Sequence, residues 1–152
     1  MKLSKRLKAL SDFIPTESHV IDVGADHAYL DIYLNLYKKC DCLALDKSKY
    51  CVKAASENAK KYKANIKVAI NDGLKGIPLN NEIIVISGMG TKNIIKILSI
   101  DINNDLVLSS HTDINLLKEF LNSKDYNIVK EITINDGKIY NIIYAKKVNK
   151  KS

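Results

Sequence analysis

The sequence has 152 residues, 46% of them hydrophobic, enough for one compact domain with a buried core. No apolar run is long enough to cross a membrane, and the N-terminal MKLSKRLKALSDF lacks the apolar centre of a secretory signal, so a cytoplasmic protein with no membrane partner is expected. The net charge of +7 favours polyanionic partners, but the chain is rich in Lys, Asn and Ile and carries a single arginine, Arg6, so compositional bias accounts for part of that charge.

The elements follow in chain order. Leu3, Leu7, Leu10 and Ile14 recur at helical spacing, which predicts a helix over 3–14 with Ser4 as N-cap and Pro15 as stop. Lys2, Lys5, Arg6 and Lys8 fall on its other face, either as a solvated surface or as a phosphate contact. HVIDVG (19–24) reads as a buried strand and 27–38 as a helix. CLALD (42–46) is a second strand, and 47–62 a helix with lysines on one face. IKVAIND (66–72) is a third strand ending at Asp72, and EIIVISGMG (82–90) a fourth ending in a Gly-Met-Gly turn. A helix follows over 91–100, then strand DLVLSSH (105–111) and a helix over 113–124. Residues 126–147 alternate apolar and polar around Asn135-Asp136-Gly137, the pattern of a β-hairpin. Strand–helix repetition with short apolar strands implies an α/β fold with a mostly parallel sheet covered on both faces. One domain is expected over 1–147, with 148–152 a basic, disordered tail. Cys40, Cys42 and Cys51 lack zinc-finger spacing and read as reduced thiols, so no metal is expected.

In such a sheet, ligands bind at the carboxyl ends of the strands. Strand one ends in Asp22-Val23-Gly24, strand two in Asp46, strand three in Asp72-Gly73 and strand four in Ser87-Gly88-Met89-Gly90. Gly24 lets a ligand approach the backbone. Asp46 suits a ribose diol, and Asp72 the exocyclic amine of an adenine. The turn lacks the further glycines of a dinucleotide site, and Asp26 places a carboxylate where a pyrophosphate would be repelled. A phosphate-free, cationic ligand with an adenine and a ribose meets these conditions, and S-adenosyl-L-methionine has all of those parts. Each residue alone has a plainer reading: Asp72 as a turn residue, Asp46 as a helix cap, Gly88 and Gly90 as turn glycines, and His27 as a helix-start residue.

The runs LSKRL…IP, DVGADHAYL, DGL and ISGMG occur in this order. Together they resemble the bacterial tRNA adenine-N1-methyltransferase family that modifies adenine 22, with a likeness that extends from Leu3 to about Lys146. The resemblance implies a Rossmann-like class I methyltransferase with a mostly parallel seven-stranded sheet, a C-terminal antiparallel hairpin and helices on both faces. It implies S-adenosyl-L-methionine as cofactor and tRNA as partner, and a monomer is the default. By motif, Asp22, Gly24 and Asp26 would form the first cofactor turn, with His27 and Tyr29 lining the pocket. Asp46, with Lys47 beside it, would hold the ribose. Asp72 and Gly73 would meet the adenine, and Gly88, Met89 and Gly90 the methionine side and target base. Asp26, His27 and Tyr29 are the candidate catalytic residues, because they sit at the turn facing the cofactor.

Two departures stand out. Where the family ends strand five in a Gln-Pro-Asn-like turn, this chain has Ser109-Ser110-His111. Family members also continue into a helical extension implicated in tRNA binding, whereas this chain stops after the hairpin. A chain without that extension is expected to bind cofactor but hold tRNA weakly. Three other readings share parts of the pattern: a methyltransferase of another substrate, a non-catalytic RNA-binding protein retaining the fold, and a nicotinamide oxidoreductase, which the missing glycines disfavour.

Overall fold

The computed structural model describes residues 1–148; of the tail expected at 148–152, residues 149–152 lie outside the described residues. Five helices and seven strands follow in order: α1 (Lys5–Phe13), β1 (His19–Val23), α2 (Tyr29–Lys38), β2 (Asp41–Asp46), α3 (Lys49–Lys61), β3 (Lys67–Ile70), β4 (Ile83–Ile86), α4 (Thr91–Leu98), β5 (Leu106–Ser110), α5 (Ile114–Ser123), β6 (Tyr126–Asp136) and β7 (Lys138–Lys147). The strands form one sheet in the order β3-β2-β1-β4-β5-β7-β6. β7 runs antiparallel to β5 and β6, and all other pairs are parallel.

Period-two alternation sorts the strand side chains onto two cores. Ile84, Ile86, Leu106, Leu108, Ile143 and Ala145 face α4 and α5, packing with Ile94, Leu98, Leu117 and Leu121. The alternate residues Ile83, Val85, Val107, Ile142 and Tyr144 face α1 and α2, against Leu10, Phe13, Leu30 and Leu34. Small residues let α3 approach the same side, where Ala55 meets Ala44 and Ala28.

The chain moves outward from β1 through β2 to β3, then returns to start β4 on the other side of β1. Strand order therefore reverses between β1 and β4, and the loops after these two strands diverge to leave a crevice. Ser4 caps α1 through Leu7 N (3.2 Å) and Ser48 caps α3 through Cys51 N (3.2 Å). One boundary departs from the sequence pattern where it matters. β3 ends at Ile70, not Asp72, because the chain turns at Asn71, whose side-chain amide donates to the carbonyls of Gly73 and Lys75 (2.9 and 3.1 Å).

Candidate cofactor and methyl-transfer site

The segment Gly24-Ala25-Asp26-His27-Ala28 builds the floor of the crevice. Gly24, Asp26 and Ala28 all have left-handed backbone, with φ of 77°, 56° and 62°. For Asp26 and Ala28 this costs about 1 kcal/mol each, so the surroundings must hold the turn in place. Leu45 O accepts from Gly24 N and Ala25 N (2.8 and 2.9 Å). The Asp46 carboxylate does the rest: Oδ2 accepts from Asp26 N at 3.0 Å and Oδ1 from Ser48 N at 2.9 Å. One side chain thus ties the β1 turn to the start of α3. Gly24 is needed for space as well as for φ, since a Cβ there would lie 2.5 Å from Met89 Cε.

These groups surround a cavity of 280 Å³, lined by Asp22, Gly24, Asp26, His27, Tyr29, Asp46, Gly88 and Met89 among others. Sequence reading placed all eight in one site, and the fold brings them together. Lys47, Asp72, Gly73 and Gly90 do not line it. Asp72 instead pairs with Lys75 at 3.0 Å, which lowers its carboxyl below the usual range. Gly90 caps α4, where a Cβ would lie 3.2 Å from Thr112 Oγ1. A larger and more open hollow of 440 Å³ lies between α3 and β3, away from the carboxyl ends of the central strands.

Two residues at and behind the cavity wall escaped the sequence pattern. Arg6 is not on the solvated face with Lys2, Lys5 and Lys8. It lines the cavity. The terminal hairpin folds back over the start of α1: Arg6 N donates to Asp136 Oδ2 (3.0 Å), and the guanidinium lies 5.2 Å from the Tyr140 ring centroid. Its Nη1 is buried and has no hydrogen-bond partner among the described residues. The second is Asp31, fully buried in α2 behind Asp22. Burial pushes the Asp22 carboxyl up to about 6, against the Asp31 hydrogen bond and the Arg6 charge, which lower it. Burial raises Asp31 well above the usual carboxylate range, and the neighbouring Asp22 charge raises it further. Neither Asp31 oxygen meets a donor among the described residues, so Asp31 is the acid of the pair, and its own proton is the one available to face Asp22.

The end of β5 is stiff without the family's proline. Thr91 Oγ1 meets Ser110 Oγ at 2.9 Å and donates to Thr112 O at 2.6 Å, while Thr91 N donates to Thr112 Oγ1 at 3.0 Å. His111 stands exposed beyond this clamp, edge-on to Tyr140 with centroids 5.4 Å apart.

A doubly wound sheet ending in an antiparallel pair, with an acidic, glycine-turned cavity at its switch point, defines a Rossmann-like methyltransferase. Residues 3–143 match the family described as "Methyltransferase domain". TrmK of M. capricolum, solved with S-adenosyl-homocysteine, superposes with a TM-score of 0.89 at 30% identity, covering 100% of this chain and 71% of that one. The B. subtilis m1A22 tRNA methyltransferase TrmK superposes with a TM-score of 0.88 at 29% identity over 97% of this chain and 67% of that one. In sequence, the Bacillus subtilis tRNA (adenine(22)-N(1))-methyltransferase is 29% identical over 155 residues, 95% of this chain and 65% of its own. The chain belongs to the tRNA (adenine-22-N1)-methyltransferase family and spans about two thirds of the length of that Bacillus relative. No described helix is long and apolar enough to cross a membrane.

Proposed function

We propose that the chain transfers the methyl group of S-adenosyl-L-methionine to N1 of adenine 22 in tRNA, in the cytoplasm. The observation that carries this reading is the charge layout of the cavity. One guanidinium with an unpartnered buried nitrogen, Arg6, faces the same space as the carboxylates of Asp22, Asp26 and Asp46. That set fits a ligand with a carboxylate, an ammonium and a ribose diol, and disfavours one with a pyrophosphate.

In this reading Arg6 receives the cofactor's carboxylate, and Asp22 its ammonium. Asp46 accepts from the ribose diol, with Lys47 beside it. Gly24 and Met89 border the sulfur side, and Gly88 and Gly90 shape the approach of the target base. Asp72 and Gly73 meet the adenine from the rim, which requires Asp72 to leave its exposed pair with Lys75. When bound, S-adenosyl-L-methionine supplies an electrophilic methyl on a sulfonium. The adenine N1 lone pair needs no strong base, so the protein's work is alignment and charge stabilisation. Asp26 and His27, whose Oδ1 and Nε2 are 3.7 Å apart, stabilise the positive charge that develops on the ring. Tyr29, edge-on to His27 at 6.2 Å between centroids, stacks beside the base.

Calorimetry with S-adenosyl-homocysteine and with NADH, followed by methylation of unmodified tRNA, tests the reading. Binding of the first ligand only, and label at adenine 22, are expected. Cofactor binding without turnover would instead support an RNA-binding protein. Asp26→Ala and His27→Ala are expected to lower turnover more than cofactor affinity; full turnover in both would remove their assigned role. Binding to tRNA should weaken steeply with added salt.

Arg6→Met is expected to weaken S-adenosyl-homocysteine by about 10- to 100-fold, the worth of one charge-assisted hydrogen bond. It should leave a decarboxylated analogue unaffected. Equal losses for both ligands would place Arg6 elsewhere than at the carboxylate.

A further inference from the structure

We infer that Asp26, His27 and Cys51 form a binding site for a zinc-like divalent cation, and that this ion and the adenosyl cofactor exclude each other. Three donor atoms of different chemistry meet at the outer edge of the cavity: Asp26 Oδ1, His27 Nε2 and Cys51 Sγ, all within 4.8 Å of one another. Cys51 Sγ lies 3.3 Å from Asp26 Oδ1, and His27 Nε2 lies 3.7 Å from the same oxygen. A tetrahedral ion with a bond of about 2.3 Å to sulfur and about 2.0–2.1 Å to nitrogen and oxygen has ligand–ligand edges of about 3.3–3.6 Å. Two of the three edges are therefore close to formed, and a small inward turn of the His27 ring closes the third. Carboxylate, imidazole and thiolate together suit zinc and its neighbours and do not suit magnesium or calcium. With three protein ligands, the fourth position is left to water.

The backbones that carry these ligands are fixed in advance. Asp46 holds Asp26 N with one oxygen and Ser48 N with the other, at 3.0 and 2.9 Å. The Ser48 hydroxyl in turn accepts from Cys51 N at 3.2 Å. Asn58 of α3 donates to His27 O at 3.1 Å. The ligand turn and the ligand helix are thus tied twice, once on each side of the three donors. Ion binding releases the Cys51 thiol proton, now donated to Asp26 Oδ1, to the solvent. The Asp46 carboxylate adds a further negative charge beside the ion.

Asp26 and His27 line the cofactor cavity, whereas Cys51 does not. An ion that recruits the first two toward Cys51 withdraws them from the cavity wall and brings two positive charges next to the position taken by a cationic cofactor. The exclusion rests on the cofactor reading of the cavity; the ion site does not.

The test is a cobalt(II) titration of the whole chain, read by the near-ultraviolet thiolate-to-cobalt charge-transfer band. It is followed by calorimetry of S-adenosyl-homocysteine with and without zinc. The expected result is a band that saturates at one cobalt per chain and is lost in Cys51→Ser and Cys51→Ala. Cys40 and Cys42 are buried, so neither should sustain the band. Zinc at tenfold its own Kd should weaken S-adenosyl-homocysteine about tenfold in the wild type. In the Cys51 variants zinc should have no such effect, while binding without zinc stays unchanged. A wild-type titration with no band, or a band that survives in both variants, overturns the ion site. A saturable band with zinc-insensitive S-adenosyl-homocysteine binding overturns the exclusion. If S-adenosyl-homocysteine binds under neither condition while the band forms, the cofactor reading fails and the ion site stands.

Discussion

Replacing Asp46 with alanine is expected to weaken S-adenosyl-homocysteine by about 100-fold or more, the loss of two charge-assisted hydrogen bonds at about 1.5 kcal/mol each. The same change should also lower thermal stability. In the free protein both carboxylate oxygens already have work: Oδ2 holds Asp26 N and Oδ1 holds Ser48 N. Removing them frees two backbone donors and releases a turn whose Asp26 and Ala28 are held in left-handed backbone against their intrinsic preference. Asp46→Asn is the informative companion. Its amide keeps one acceptor but turns an NH2 toward one of the two backbone N–H groups, so it should fall between wild type and alanine in both readouts. Calorimetry and thermal unfolding on the three proteins check this. Affinity within about threefold of wild type for Asp46→Ala would separate the carboxylate from ligand binding and leave it a structural tie.

The contrast between Asp46 and Asp72 shows how far the sequence pattern reached. Strand ends could be located because the β-branched and aliphatic runs of β1, β2 and β4 are bounded by glycine or by charge, and Asp22, Asp46 and Ser87 follow directly from those bounds. β3 is an edge strand with half-exposed residues, so its apolar signal is weak, and the Asn71 side chain turns the chain so that the strand ends at Ile70, two residues before Asp72. Helix periodicity failed for Arg6 for a different reason. Arg6 lies three residues after Leu3 and four before Leu10, at the edge of the apolar stripe, but its charge groups it with the neighbouring lysines, and the groups that cover it, Asp136 and Tyr140, arrive 130 or more residues later from the returning hairpin. That spacing, and its being the sole arginine of a lysine-rich chain, were the sequence signals available. Asp31 gave none, because a polar residue inside YLDIYL reads as an ordinary helix position until the sheet closes over it.

Asp31→Asn should make the protein more stable at neutral pH and lessen the fall of its stability between about pH 4 and about pH 7. In the wild type both carboxyls of the buried pair have folded pKa values above the ordinary 3.8, that of Asp22 about 6. The folded state therefore binds more protons than the unfolded chain within that window, and stability falls as pH rises through it. For Asp22 alone the displacement corresponds to about 3 kcal/mol, present in full below the unfolded value and lost once pH exceeds the folded one. An asparagine at 31 keeps a donor for the Asp22 carboxylate without a proton to lose. It removes the Asp31 titration and leaves that of Asp22 where it was, because a protonated Asp31 lowers the Asp22 carboxyl and does not oppose its charge. The consequence reaches the ligand. Asp22 attracts an ammonium only when ionised, so affinity for S-adenosyl-homocysteine should fall as pH drops below about 6, and the variant should follow the same affinity curve. Denaturant unfolding and calorimetry over a pH series measure the two effects on the same samples. Superimposable stability curves for the two proteins would mean that Asp31 holds no extra proton in the fold; an affinity that does not fall below about pH 6 in either protein would mean that the ammonium is held elsewhere, with Asp26 the next carboxylate on the cavity wall.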